Sequence, residues 1–231
     1  KKICNNYNIP IIEDAAESLG ASFNGMKCGT FGDMSILSFN GNKIITTGGG
    51  GMLLSNNEDF IKKARKLSTQ AREPGLHYEH KHIGYNYRMS NILAGIGRAQ
   101  LKSIDEYVDK RREIFNYYKA NLNNEDCIKF MPEIKNGRST NWLSVIIIEN
   151  IDYKKIENII LNLNKKNIEV RPIWKPMHLQ PIFKDLPFYH YNEKPLSEEL
   201  FENGLCLPSG SNLNKDQMNR IIKNLLNEIK I

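Results

Sequence analysis

Lys43 lies between Ser38-Phe39-Asn40-Gly41-Asn42 and Ile44-Ile45-Thr46-Thr47, and four consecutive glycines, Gly48 to Gly51, follow. A lysine set between a hydroxyl-bearing apolar run and a glycine loop can be held close to a ligand and partly desolvated, where its amine serves as a nucleophile. The plain alternative is a surface lysine beside a flexible loop. Upstream, Ile9-Pro10-Ile11-Ile12-Glu13-Asp14 reads as a short β-branched strand, of the kind covered on both faces in a parallel sheet, ending in two acids. Functional groups of open α/β sheets gather at the carboxyl ends of strands, which places Asp14 for chemistry. Its alternative is a cap for Ala15-Ala16-Glu17-Ser18.

The elements that must position these groups follow from the hydrophobic pattern. Residues 35–39 and 51–55 read as two more strands, joined by the lysine and glycine loop. Residues 58–69 carry Phe60, Ile61, Ala64 and Leu67 at helical spacing, with Asn56 or Asn57 as N-cap. Residues 73–88 form a long polar loop bearing Tyr78, Tyr85 and Tyr87; loops of that length in compact domains are usually functional or disordered, and the aromatics among the polar residues favour function. A helical stretch starts at Ser90, breaks near Ser103 and continues to about Leu122. After Asn123-Asn124 the pattern changes to a strand over 142–148, a helix over 153–165, a strand over 168–173, a loop over 189–196, a short helix over 198–203 and a closing amphipathic helix over 215–230. The alternation predicts an α/β protein with a larger domain over 1–124 and a smaller α/β domain over 125–231.

Composition removes several function classes. The chain has 231 residues, 40% hydrophobic and 25% charged, which is ordinary for a soluble globular protein. No apolar run spans a bilayer, and Lys1-Lys2-Ile3-Cys4-Asn5-Asn6 is no signal peptide. Four scattered cysteines without a C-x-x-C pair point to reduced thiols in a cytoplasmic protein, not to a disulfide framework or a zinc site. The net charge is +6, but the basic residues are spread out among acids and no nucleic-acid motif accompanies them. Such a field suits an anionic small substrate such as a nucleotide diphosphate. His77, His80, His82 and Glu79 match no H-E-x-x-H pattern and lie in a loop, so they read as loop positions and not as metal ligands. The glycines form no Walker loop, because Lys43 precedes them. The chain begins without Met inside what reads as a helix running into a strand, and an N-terminal portion is expected to be missing.

Asp14, Ser38 and Lys43 together supply what pyridoxal phosphate (PLP) requires: an amine for a Schiff base, a carboxylate to keep the ring nitrogen protonated, and donors for the phosphate. Ile12-Glu13-Asp14-Ala15-Ala16-Glu17-Ser18-Leu19-Gly20, Gly29-Thr30-Phe31-Gly32-Asp33, the Ser38 to Lys43 run, the Thr46 to Met52 run and Gly84-Tyr85-Asn86-Tyr87-Arg88-Met89-Ser90 occur in that order. The set resembles the DegT/DnrJ/EryC1/StrS family of PLP-dependent nucleotide-sugar aminotransferases over essentially the whole chain. The resemblance implies a type I aminotransferase fold and a homodimer whose active sites lie at the subunit interface. It implies that Lys43 is the Schiff-base lysine and proton shuttle, that Asp14 pairs with the pyridinium nitrogen, and that Glu17 sits near the ring hydroxyl. Ser38 would bond the phosphate, and Asn86 would reach the phosphate of the neighbouring subunit's cofactor. Arg171-Pro172-Ile173-Trp174-Lys175-Pro176-Met177-His178 is similar to the segment facing the nucleotide sugar, with Arg171 and His178 as the substrate-binding candidates.

Thr69-Gln70-Ala71-Arg72-Glu73, His77-Tyr78-Glu79-His80 and the Gly84 to Ser90 run resemble the enzymes that aminate UDP-linked 4-keto-6-deoxy-N-acetylglucosamine on the route to N,N′-diacetylbacillosamine, with glutamate as donor. Gly49 stands where many relatives carry an acid. Segments preceding this chain in the family contribute phosphate and substrate contacts, so a chain without them is expected to leave the cofactor site incomplete. Two alternatives share the fold. One is a PLP-dependent sugar dehydratase, which has histidine in place of the lysine and is disfavoured by Lys43. The other is a non-catalytic PLP-fold protein or an inactive fragment.

Overall fold

A computed structural model describes residues 1–191 and 193–230. In chain order the elements are α1 (Lys2–Asn6), β1 (Ile12–Asp14), β2 (Ser22–Phe23), β3 (Met26–Lys27), β4 (Met34–Ser38), β5 (Gly51–Leu54), α2 (Glu58–Ser68), α3 (Asn91–Leu101), α4 (Ile104–Leu122), β6 (Ile128–Phe130), β7 (Gly137–Arg138), β8 (Ser144–Ile148), α5 (Tyr153–Lys165), β9 (Arg171–Pro172), α6 (Leu196–Asn203), β10 (Gly204–Leu207) and α7 (Lys215–Ile229). Two 3₁₀ turns, Met177–Leu179 and Pro181–Phe183, lie between β9 and α6. The chain forms two compact units, residues 1–109 with 133–142, and residues 110–132 with 143–231. The division thus falls inside α4 and not after Asn124. The physical reason is that Ile114, Tyr118 and Leu122 of α4 are built into the core of the second unit.

The first unit contains the sheet β1-β4-β5, with β1 parallel to β4 and β4 antiparallel to β5. The register pairs Asp14 with Ile36 and Ser38 with Gly51. A parallel pair shares its carboxyl end, so Asp14 and Ser38 leave the sheet on the same edge. The expectation that β1 is covered on both faces is corrected. Glu13 faces inward over a loop, whereas Ile12 on the other face is 66% exposed. The helix over Glu58–Ser68 starts where Asn57 accepts the amides of Asp59 and Phe60, and Ser90 caps α3 through the amide of Leu93. Neither α2 nor α3 contains a fully buried residue, and Ile92 of α3 is 73% exposed. A second small sheet, β3-β2-β7, draws residues 137–138 back into this unit.

The second unit is an antiparallel sheet in the order β6-β8-β10-β9. Ser144, Ile146 and Ile148 alternate inward along β8, as its period-2 pattern requires. The buried faces of α5 (Ile156, Ile159, Leu163) and α7 (Met218, Ile221, Ile222, Leu225) belong to one core with Leu205 and Leu207 of β10. The strand expected over 168–173 shortens to two residues. Asn167 has a positive φ of 56°, Val170 gives its amide to Asn164 Oδ1 at 3.1 Å, and Pro172 has no amide to give. Conversely β10 carries no sequence period, because all four of its residues are buried.

Candidate active site

The two acids that end β1 do different work. Glu13 accepts the amides of Gly29 at 2.6 Å, Phe31 at 2.8 Å and Gly32 at 3.3 Å, so its carboxylate ties the 29–32 loop under the strand. Asp14, one residue on, points to the open face. Its Oδ1 accepts the Ala16 amide at 3.1 Å, a turn that fixes the carboxylate at the sheet edge. Asp14 therefore does both things read from the sequence: it caps the following turn and presents a carboxylate at a strand end. Nearby Cys28 is buried enough to push its thiol pKa up, and the Glu13 charge pushes it further. Cys28 is accordingly no candidate nucleophile.

The Lys43 loop is closed at its base by backbone bonds. Phe39 N–H bonds Gly50 O at 2.9 Å and Thr47 N–H bonds Phe39 O at 3.0 Å. Inside, Ser38 Oγ accepts the Asn40 amide at 3.3 Å, which leaves its own O–H proton to be donated elsewhere. Gln100, from α3, takes the Thr46 amide on Oε1 at 3.1 Å and donates Nε2 to Thr46 O at 2.6 Å. This two-point clamp holds the segment just past the lysine. The Lys43 side chain is 12% exposed, and its Nζ lies 3.1 Å from Glu17 Oε1 and 4.4 Å from the centroid of the Trp142 ring. Trp142 Nε1 donates to Asn42 O at 2.7 Å. Glu17 and Lys43 thus form an ion pair beside the Trp142 ring.

Asn86 sits on the 69–88 loop. The loop is ordered by bonds from Gln70 N–H to Tyr85 O, Tyr85 N–H to Leu67 O and Tyr87 N–H to Ser68 O, with Tyr85 and Tyr87 stacked at 4.9 Å. A groove of about 560 Å³ is lined there by Arg72, Glu73, Tyr78, Asn86 and Arg88. Gln70 and Ala71 both take positive φ at the end of α2, a strained pair of the kind found at functional loops. His80 Nδ1 lies 2.8 Å from Gln70 O. Among the described residues no group of three or more His, Cys, Asp or Glu side chains gathers to hold a metal.

Arg171 and His178 belong to the second unit, and each has a partner there. Arg171 is exposed and its Nε donates to Glu169 Oε1 at 2.9 Å. His178 is half-buried, its Nε2 is 2.8 Å from Glu198 Oε1, and its ring stacks on Phe188 at 3.5 Å. The structure therefore gathers Asp14, Glu17, Ser38 and Lys43 in the first unit and places the two substrate-segment residues in the second. Trp142, Gln100 and the loop-holding role of Glu13 were not read from the sequence. Trp142 opens the apolar run over 142–148 that reads as a strand, and no local signal marks a contact across a hundred residues.

An amine, an edge carboxylate and a hydroxyl with a free proton are the donor set that a phosphorylated pyridine aldehyde needs, so the residues present fit such a group. The profile of the DegT/DnrJ/EryC1/StrS aminotransferase family matches residues 1–226, and the chain belongs to that family. EpsN of Bacillus subtilis (strain 168), provisionally named a pyridoxal phosphate-dependent aminotransferase, is 52% identical over 225 residues, covering 97% of this chain and 58% of EpsN. The GDP-perosamine synthase of Escherichia coli O157:H7 is 35% identical over 217 residues, covering 94% of this chain and 57% of the synthase. The crystal structure of the aminotransferase TlmJ from Streptoalloteichus hindustanus superposes with a TM-score of 0.87 at 25% identity, covering 99% of this chain and 61% of TlmJ. The chain spans about three fifths of the length of these relatives. The likeness to TlmJ agrees with the α/β aminotransferase fold expected from the motif order.

Proposed function

We propose that the protein carrying this chain is a PLP-dependent transaminase. It moves the amino group of L-glutamate to C4 of a UDP-linked 4-keto-6-deoxy-N-acetylhexosamine and releases 2-oxoglutarate and the 4-amino sugar. The observation that carries this reading is the Lys43 amine, nearly enclosed and paired with Glu17, on the loop that leaves the same sheet edge as Asp14. When bound, PLP supplies an aldehyde that condenses with amines and a ring that takes up electrons from the reacting carbon. Lys43 Nζ would hold that group and would be the base that moves the proton at the α-carbon of the donor and at C4 of the sugar. Glu17, paired with Nζ at 3.1 Å, would lie near the ring hydroxyl. Asp14 would keep a proton on the ring nitrogen through its carboxylate charge. Ser38 would donate its O–H to the phosphate.

Two copies would complete the arrangement. Asn86 on its ordered loop would donate to the phosphate held by a second copy. The exposed apolar residues of the same region, Leu76, Ile83, Ile92 and Ile96 among them, support a homodimer. Arg171 is assigned to the nucleotide sugar's diphosphate and His178 to the sugar. The UDP assignment rests on the motifs of the 69–90 and 171–178 segments. The likeness to a GDP-perosamine synthase favours a second reading, a GDP-linked 4-keto-6-deoxy sugar.

The test is turnover of both keto sugars with glutamate, reading the product by NMR. The proposal expects the UDP-linked 4-amino sugar and expects Lys43→Ala to abolish it. Turnover of the GDP sugar alone would shift the assignment to the second reading, and full turnover by the Lys43→Ala variant would remove the mechanism. No helix among the described residues is long and apolar enough to cross a membrane.

A further inference from the structure

Trp142 reaches the lysine loop from a hundred residues further along the chain, and the segment that brings it is firmly tied. Gly137 and Arg138 pair with β2, the Arg138 guanidinium meets Asp109, and the Asn141 amide bonds Ser139 Oγ at 3.2 Å. Asn141 turns the chain at a φ of 47°, and Thr140, Asn141 and Trp142 are all buried. The chain enters the second unit at the next residue, Leu143. Burying an indole here has a specific result. One edge of the ring gives its N–H to the carbonyl of Asn42, the residue before the lysine, and its face receives the ammonium of Lys43 itself.

We propose that Trp142 is a positioning residue for Lys43, fixing the lysine's backbone through the Asn42 carbonyl and its amine through the ring face. A lysine has a flexible four-carbon stem whose tip would otherwise sample many rotamers. With the ring on one side and Glu17 at 3.1 Å, the amine is held between an aromatic face and a carboxylate. This inference rests on the reading of Lys43 as the anchoring lysine, and its test separates the two.

The chain has two tryptophans, so Trp174→Phe leaves Trp142 as the only indole emitter. In that background Lys43→Met is expected to change the intensity of Trp142 emission, and emission unaffected by Lys43 overturns the contact. The second arm treats the full-length protein that carries this chain with PLP and borohydride and maps the labelled lysines by mass spectrometry. The share of label on Lys43 is expected to fall in Trp142→Leu by between about twofold and about thirtyfold. That range corresponds to a cation–π contact of ~0.5–2 kcal/mol. Trp142→Phe, which keeps a ring face but loses the N–H to Asn42, is expected to lie between wild type and Trp142→Leu. An equal Lys43 share in all three proteins overturns the positioning role and leaves the cofactor reading intact. Emission that responds to Lys43 in a chain whose Lys43 takes no label supports the ring contact and overturns the cofactor reading. If Trp142→Leu does not fold, the Phe variant and the emission arm, which keeps Trp142, still decide.

Discussion

Replacing Glu13 by Ala tests how the site's edge is held. The carboxylate accepts three amides at 2.6, 2.8 and 3.3 Å, two of them short. Bonds to a charged acceptor contribute roughly 1.5–3 kcal/mol each when the partner is left buried and unpaired. Gly29 is buried, but Phe31 and Gly32 are half-buried, so water can recover part of the loss. The net cost works out at about 2–4 kcal/mol, and for a protein of this size each kcal/mol lowers Tm by about 2–4 °C. Glu13→Ala should therefore melt roughly 4–16 °C below wild type, with faster amide exchange at Gly29, Phe31 and Gly32. Glu13→Gln should fall between, since one acceptor oxygen survives while the new NH₂ group faces backbone donors. Because β1 is only three residues long, loosening the 29–32 loop should also weaken PLP retention through Asp14. A Glu13→Ala protein that melts within about 1 °C of wild type with unchanged exchange would refute the reasoning, since surface substitutions alone give effects of that size.

Two neighbouring glycines should behave oppositely. A Cβ at Gly51 would meet the Leu37 carbonyl oxygen of the paired strand at 2.5 Å, whereas one at Gly49 meets nothing within 4 Å. Gly51→Ala is expected to destabilise by about 1–3 kcal/mol and Gly49→Glu by less than about 0.5 kcal/mol, read by urea unfolding. In the second unit, hydrogen bonds from Lys166 at 2.6 Å and then Asn162 at 2.9 Å hold the Glu228 carboxyl below its ordinary pKa. A depressed folded-state pKa stabilises above the unfolded value and the gain is lost as pH falls through the folded one. Glu228→Gln should thus cost about 1 kcal/mol at neutral pH. In chemical unfolding, wild type and variant should converge as pH drops below the usual glutamate range of about 4.3. A gap that persists or widens in acid would contradict the sign.

Much of this organisation was legible because it is local. The cap at Asn57, the break near Ser103 and the Tyr153–Lys165 helix are written in residue types a few positions apart. The placement of the candidate lysine, hydroxyl and edge acid was legible for a related reason: a parallel strand pair brings its carboxyl ends together wherever the two runs lie in the chain. What stayed hidden depends on contacts between distant segments. The strand over Gly204–Leu207 has no period because both of its faces are covered. The division inside α4 depends on where Tyr118 and Leu122 find a core, not on the Asn123-Asn124 turn that follows. The separation of Glu13 from Asp14 needed the 29–32 loop to be seen beneath the strand. Trp142 needed the whole 133–142 return to the first unit.

The central claim is that Lys43 is the residue that takes the cofactor. Incubation of the full-length protein that carries this chain with PLP, reduction with borohydride and peptide mapping by mass spectrometry test it directly. The account predicts a phosphopyridoxyl group on the peptide containing Lys43, absent from the Lys43→Ala variant. Labelling spread over exposed lysines with Lys43 unmodified would contradict it.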